Sequence, residues 1–144
     1  MHVSGDCLSH CGEAVGCWIL GRFGGPRERP DTGLWPKALH IEKARGFWGR
    51  ALGLHAYGVW GSAAWGLLLQ PCRLVHTLGM RQAIDVVFLD RAGRIITFKS
   101  ALPPNRLCGC RHAYAVLELP AGYCRQPAWR ERVLQALADS NMEV

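Results

Sequence analysis

Two runs rich in β-branched residues stand out in the alternation of apolar and polar positions. Ile84-Asp85-Val86-Val87-Phe88-Leu89 and Arg94-Ile95-Ile96-Thr97-Phe98-Lys99 are separated by Asp90-Arg91-Ala92-Gly93. That pattern predicts a hairpin whose turn Gly93 closes with a positive φ. Upstream, Leu39, Ile41 and Lys43 alternate with His40, Glu42 and Ala44, the period of a short half-buried strand. Gly66-Leu67-Leu68-Leu69 predicts a buried strand. Ala113-Tyr114-Ala115-Val116-Leu117-Glu118-Leu119 predicts another, stopped by Pro120 and the turn residue Gly122. Pro103-Pro104 ends the second hairpin strand, and residues 106–111 read as a loop. Phe47, Ala51 and Leu54 fall at helical spacing over one or two turns. Near the C-terminus Trp129, Val133, Leu134 and Leu137 share one face of an amphipathic helix, with Arg130, Glu131, Arg132 and Gln135 opposite. Five or six short strands with little helix make a mainly β chain. The expected fold is a compact antiparallel sandwich or open barrel, with one or two short helices and a C-terminal helix capping the sheet.

The chain of 144 residues is long enough for one domain and 49% hydrophobic, so it can build a core without metal or disulfide staples. The first 36 residues mix Gly, Pro, Arg and Cys without an apolar period, and Gly24-Gly25-Pro26 breaks any element there, so a loose N-terminal tail is expected at 1–36. A single β-rich domain then occupies 37–144. Three arginines and four acids precede Lys37, leaving fourteen cations and seven acids in the domain. Those arginines are dispersed singly, without the stripe or aromatic interleaving of a nucleic-acid surface, so nucleic acid is not the expected partner. Residues 51–72 hold no charged side chain, yet Gly53, Gly58, Gly61 and Gly66 argue against a membrane span. Seven cysteines, an odd number, and the lack of an export signal favour reduced thiols and a cytoplasmic location.

Phosphate-loop, dinucleotide, zincin and nucleophile-elbow motifs are all missing from the sequence, which removes the enzyme classes they mark. Asp85 and Asp90 stand at an odd offset and so face opposite ways on a strand, unlike a paired acid and base. The unusual segment is 71–85, which sets His76, Thr77, Arg81 and Asp85 between apolar strands. Buried polar groups need partners. Arg81 and Asp85 are expected to satisfy each other across the turn at Gly79, with His76 bonded to either. One reading is a polar plug that fixes the strand connection. The other is a small pocket where His76 and Arg81 face an anionic or hydroxylated ligand, or a partner protein. Cys72 with His76, and Cys108, Cys110 and His112, raise the alternatives of a metal centre or a cysteine nucleophile, and His76 oriented by Asp85 that of a general base. The spacing of Cys7, Cys11 and Cys17 matches no standard zinc knuckle. Neither a resident cofactor nor a metal is expected. The tryptophans, Trp48, Trp60, Trp65 and Trp129, read as core.

Several blocks in order resemble the bacterial and archaeal domain of unknown function 192. They are Arg45-Gly-Phe-Trp-Gly-Arg50, Gly66-Leu-Leu-Leu, Pro71-Cys-Arg-Leu-Val-His-Thr-Leu-Gly-Met-Arg81, Ile84-Asp-Val-Val-Phe-Leu-Asp90, Gly93-Arg-Ile, Pro103 and Val116-Leu-Glu-Leu-Pro-Ala-Gly122. The resemblance runs from about Leu39 to Gly122. It implies a compact, jelly-roll-like or sandwich-like β domain without an assigned activity. The His-Thr-x-Gly-Met-Arg form resembles members found in envelope and pilus-assembly gene neighbourhoods, which implies an accessory binding role. Carried over by motif, the positions to watch are Arg45, Arg50, His76, Thr77, Met80, Arg81, Asp85 and Glu118. The chain departs from the family pattern at Phe47-Trp48, a bulkier pair than usual. It also lacks the Gly-Asp step near the C-terminus, where the Trp129 helix stands instead.

Overall fold

The computed structural model describes residues 17–20, 38–44 and 65–140. It contains strands β1 (Cys17–Leu20), β2 (His40–Lys43), β3 (Trp65–Leu69), β4 (Leu74–His76), β5 (Ile84–Leu89), β6 (Ile95–Leu102), β7 (Leu107–Cys110) and β8 (Ala115–Pro120). A 3-10 turn at Tyr123–Arg125 and the helix α1 (Trp129–Asp139) follow. Five strands form one sheet in the order β2-β3-β8-β5-β6, and three form a second in the order β1-β7-β4.

β5 is buried at all six positions and β8 at five of its six, as strands covered on both faces must be. Such strands read as continuous apolar runs. Alternation divides their side chains between two cores. Val87, Leu89, Leu117 and Leu119 pack with Trp129, Val133, Ala136 and Leu137 of α1. Leu67, Val86, Phe88 and Val116 face the other way, with Val75 of β4 and with Cys108 and Cys110 of β7. The result is a helix, a five-stranded sheet and a three-stranded sheet in layers, which is the sandwich-like, mainly β architecture expected. Gly66 is needed where β3 meets β8, because a Cβ there would stand 2.8 Å from Leu119 Cδ2.

Four expectations require correction. β2 and β3 pair in parallel, so the larger sheet is not wholly antiparallel. Residues 44–64 connect them, and a connection of that length permits the crossover that parallel strands require. Residues 106–111 are not a loop, since Leu107–Cys110 is the central strand of the smaller sheet. Cys17–Leu20, inside the expected loose tail, pairs antiparallel with it. On α1, Leu134 is 45% exposed and Ala136 takes its place on the buried face. Residue 134 lies about 140° round the helix from Trp129, whereas 133, 136 and 137 return to the same side. The helical turns expected near Phe47 lie outside the described residues. The hairpin forms as expected, with Gly93 at φ 74°. At its turn the Arg94 amide and guanidinium hold the Asp90 carboxyl below its usual range, the guanidinium at 2.7 Å.

Candidate functional site

Asp85 is the second residue of β5, on the face that looks toward α1, and its carboxylate is wholly buried. Oδ1 accepts the Ala101 amide at 2.7 Å, the Gly122 amide at 3.2 Å and the Ser100 hydroxyl at 3.2 Å. Oδ2 accepts the Cys124 amide at 2.7 Å. These donors come from the end of β6 and from the turn that follows β8. Ala101 and Gly122 have φ of 52° and 90°. The left-handed backbone aims their N–H groups inward, and the carboxylate holds a conformation that costs an alanine about 1 kcal/mol. Burial pushes the Cys124 thiol above its ordinary range, and the neighbouring Asp85 charge adds to the effect. Burial likewise raises the Tyr123 hydroxyl.

The expected pair of Arg81 with Asp85 does not form. The carboxylate takes the three amides and the hydroxyl just named, with the Cys124 thiol beside it, while Arg81 and His76 are exposed. Backbone amides do the neutralising that sequence reading assigned to a guanidinium, so Asp85 also cannot orient His76 as a base. It fastens β5 to β6 and to the approach of α1.

Thr77 does comparable work for the segment after β4. Its hydroxyl donates to the Pro103 carbonyl at 2.6 Å and accepts the Arg106 amide at 2.9 Å. The Thr77 amide donates to the Arg106 carbonyl at 2.8 Å, and the Thr77 carbonyl accepts the Asn105 amide at 2.8 Å. The Gly79 amide, in a left-handed turn with φ 75°, donates to Asn105 Oδ1 at 3.0 Å. Residues 77–80 are thus strapped to 103–106, and Met80 anchors the far side in the core at 7% exposure. Threonine and methionine here are structural. The side chains that this frame presents outward are His76, Leu78 and Arg81.

Glu118 is buried on the opposite face of the sheet from Asp85, flanked in register by Leu67 and Val86. The two carboxylates therefore belong to different cores. Arg45 and Arg50 lie outside the described residues. Of the eight positions carried over by motif, the fold brings His76 and Arg81 onto one turn, supports them with Thr77 and Met80, and sets Asp85 and Glu118 apart. Sequence reading missed Leu74 and Leu78, which are 45% and 56% exposed, and the strapping role of Asn105. Pro103-Pro104-Asn105 carried a signal, because asparagine tolerates the left-handed conformation found here at φ 57°.

Cys108 and Cys110 lie on one face of β7 inside the core, the Cys72 thiol donates to the Leu74 carbonyl, and His112 is exposed where Arg111 Nε donates to its Nε2. Among the described residues no three His, Cys, Asp or Glu side chains come together as a metal site. Trp129 is buried as expected, its ring tilted at 58° against that of Phe98, and Trp65 packs against the second core. No helix among the described residues is long and apolar enough to cross a membrane.

The family model of DUF192, described as an uncharacterised ACR, matches residues 29–130. A crystal structure of a protein of unknown function from Novosphingobium aromaticivorans is similar to this chain at 20% identity, with a TM-score of 0.52. The likeness covers 60% of this chain and 66% of that one, just under two thirds of its length, and speaks for the fold alone. No curated protein matches the chain.

Proposed function

The chain belongs to the DUF192 family, and we propose that it is a noncatalytic binding domain that takes an anionic group, borne by a polar ligand or a partner protein, on its 76–81 turn. The observation that carries this is the pairing of exposed His76 and Arg81 with a backbone strapped to 103–106. A fixed turn presents a cation without the ordering cost that a mobile loop would add. The surrounding charge favours the same ligand. Between Trp65 and Ala115 there are seven Lys and Arg and two acids, and those acids, Asp85 and Asp90, are already engaged. Leu78 at 56% exposure beside Arg81 adds an apolar contact that a partner would cover. Among the described residues, the buried reduced thiols of Cys108, Cys110 and Cys124 support the cytoplasmic location. The role is accessory, in keeping with the envelope or pilus assembly suggested by the motif.

A thermal-shift screen of carboxylates, phosphates and sulfates against the wild type, Arg81→Ala and His76→Ala tests the reading. Stabilisation by an anion that disappears in Arg81→Ala supports it. Stabilisation that survives both substitutions would place the ligand elsewhere.

A further inference from the structure

β4 forms an edge of the three-stranded sheet. The Cys110 amide donates to the Arg73 carbonyl at 2.9 Å, and the Thr77 amide donates to the Arg106 carbonyl at 2.8 Å. The register pairs Leu74 with Gly109, Val75 with Cys108 and His76 with Leu107. Hydrogen-bonded and non-bonded positions alternate along an antiparallel pair. Residues 73, 75 and 77 therefore spend their backbone groups on β7, while Leu74 and His76 turn theirs the other way. Among the described residues one group meets them there, the Cys72 thiol on the Leu74 carbonyl at 3.1 Å. The Leu74 and His76 amides and the His76 carbonyl are left facing outward, in the pattern that accepts an added strand.

The side chains along this edge are ordered. Exposed Arg73 lies at one end, next to Arg111 through the bond between Arg73 and Cys110. Arg81 and the partly exposed Arg106 lie at the other, and Leu74 and Leu78 stand between at 45% and 56% exposure. Edges are commonly blunted by charges along their length. Here the arginines sit at the two ends, and Leu74, His76 and Leu78 stand exposed between them. A second copy of the chain would bring arginines against arginines, whereas an acidic segment would complement them.

We propose that the free edge of β4 takes an extended peptide of a partner protein, with acidic residues at both ends of an alternating apolar stretch, as an added strand. This rests on the binding role of the 76–81 turn and names its partner. Backbone pairing to Leu74 and His76 sets the register, and the end arginines select the acids.

The probe is a fluorescent peptide, Asp-Glu-Val-Thr-Val-Glu-Asp, titrated into the full chain by anisotropy. The expected result is saturable binding that weakens with salt, falls about tenfold or more when the valine amides are N-methylated, and falls several-fold in Arg73→Ala and Arg81→Ala. Leu74→Pro, which removes an outward amide and spares the bonds to β7, should weaken it likewise, with circular dichroism checking its fold. The N-methylated peptide makes the same test on the unaltered protein. Binding that responds to Arg81→Ala but not to N-methylation or Leu74→Pro would overturn strand addition and leave the charged turn standing. Binding indifferent to every change would overturn both, and no binding would overturn the peptide assignment. A concentration-dependent dimer that Leu74→Pro abolishes would give the edge to a second copy instead.

Discussion

Replacing Asp85 by alanine separates an amide-bound carboxylate from an ion-paired one. The side chain is wholly buried and receives three amides and a hydroxyl. Leaving a buried donor without an acceptor costs about 1–3 kcal/mol. The Cys124 amide, in a buried bond, should cost that in full. The Ala101 and Gly122 amides are only partly buried and can recruit water, so each adds a fraction of it. The sum is about 3 kcal/mol, a large share of the 5–15 kcal/mol or so that a domain has. With a urea dependence of about 1.5–2 kcal/mol per molar, the midpoint should fall by about 1.5–2 M. Asp85→Asn keeps one acceptor oxygen and should lose about half as much. Arg81→Ala removes an exposed side chain and should move stability by no more than about 0.5 kcal/mol. A buried ion pair would instead make loss of either partner cost about 3–5 kcal/mol. Urea unfolding of the three variants decides it. An Arg81→Ala loss equal to that of Asp85→Ala, or an Asp85→Ala loss below about 1 kcal/mol, would refute the reasoning.

Thr77→Val keeps the shape but strips the hydroxyl from Pro103 and Arg106, so it should cost about 1–2 kcal/mol in unfolding and loosen the 77–80 turn, seen as faster amide exchange at Gly79. Gly66→Ala forces a methyl against Leu119 and Leu117 and should cost about 1–3 kcal/mol by thermal unfolding. On α1, Leu134→Lys should fall within about 0.5 kcal/mol of the wild type, whereas Ala136→Asp should cost about 2 kcal/mol or more by driving a charge against the sheet. The raised Cys124 thiol contributes stability that is complete below its unfolded value of 9.0 and declines as pH rises beyond it, because only the unfolded chain then sheds the proton. Alkaline unfolding should therefore have a shallower pH slope in Cys124→Ala.

The elements legible in the sequence are those whose local pattern and burial agree. β5 and β8 are continuous apolar runs because both faces are covered, and the Asp90-to-Gly93 turn carries its own φ requirement. β4 and β7 were illegible for the opposite reason. Leu74-Val75-His76 has a single buried position, and Leu107-Cys108-Gly109-Cys110 contains glycine and two cysteines, so pairing rather than propensity makes them strands. The candidate site divided in the same way. That Asp85 is buried and must be satisfied followed from its setting between apolar strands. Three of its four donors, at positions 101, 122 and 124, are distant in sequence and are backbone groups that no side-chain motif announces. Thr77 and Met80 looked like ligand positions because they share a motif with His76 and Arg81, yet they build the frame that holds those two outward.

Amide chemical shifts of the labelled full chain during titration with the acidic peptide give the most direct test of the division between frame and recognition surface. The account predicts that the amides of Leu74, His76, Leu78 and Arg81 move progressively to saturation, while those of Ala101, Gly122 and Cys124 stay in place. Movement centred on the three amides bound by Asp85, with the 74–81 segment unchanged, would contradict it.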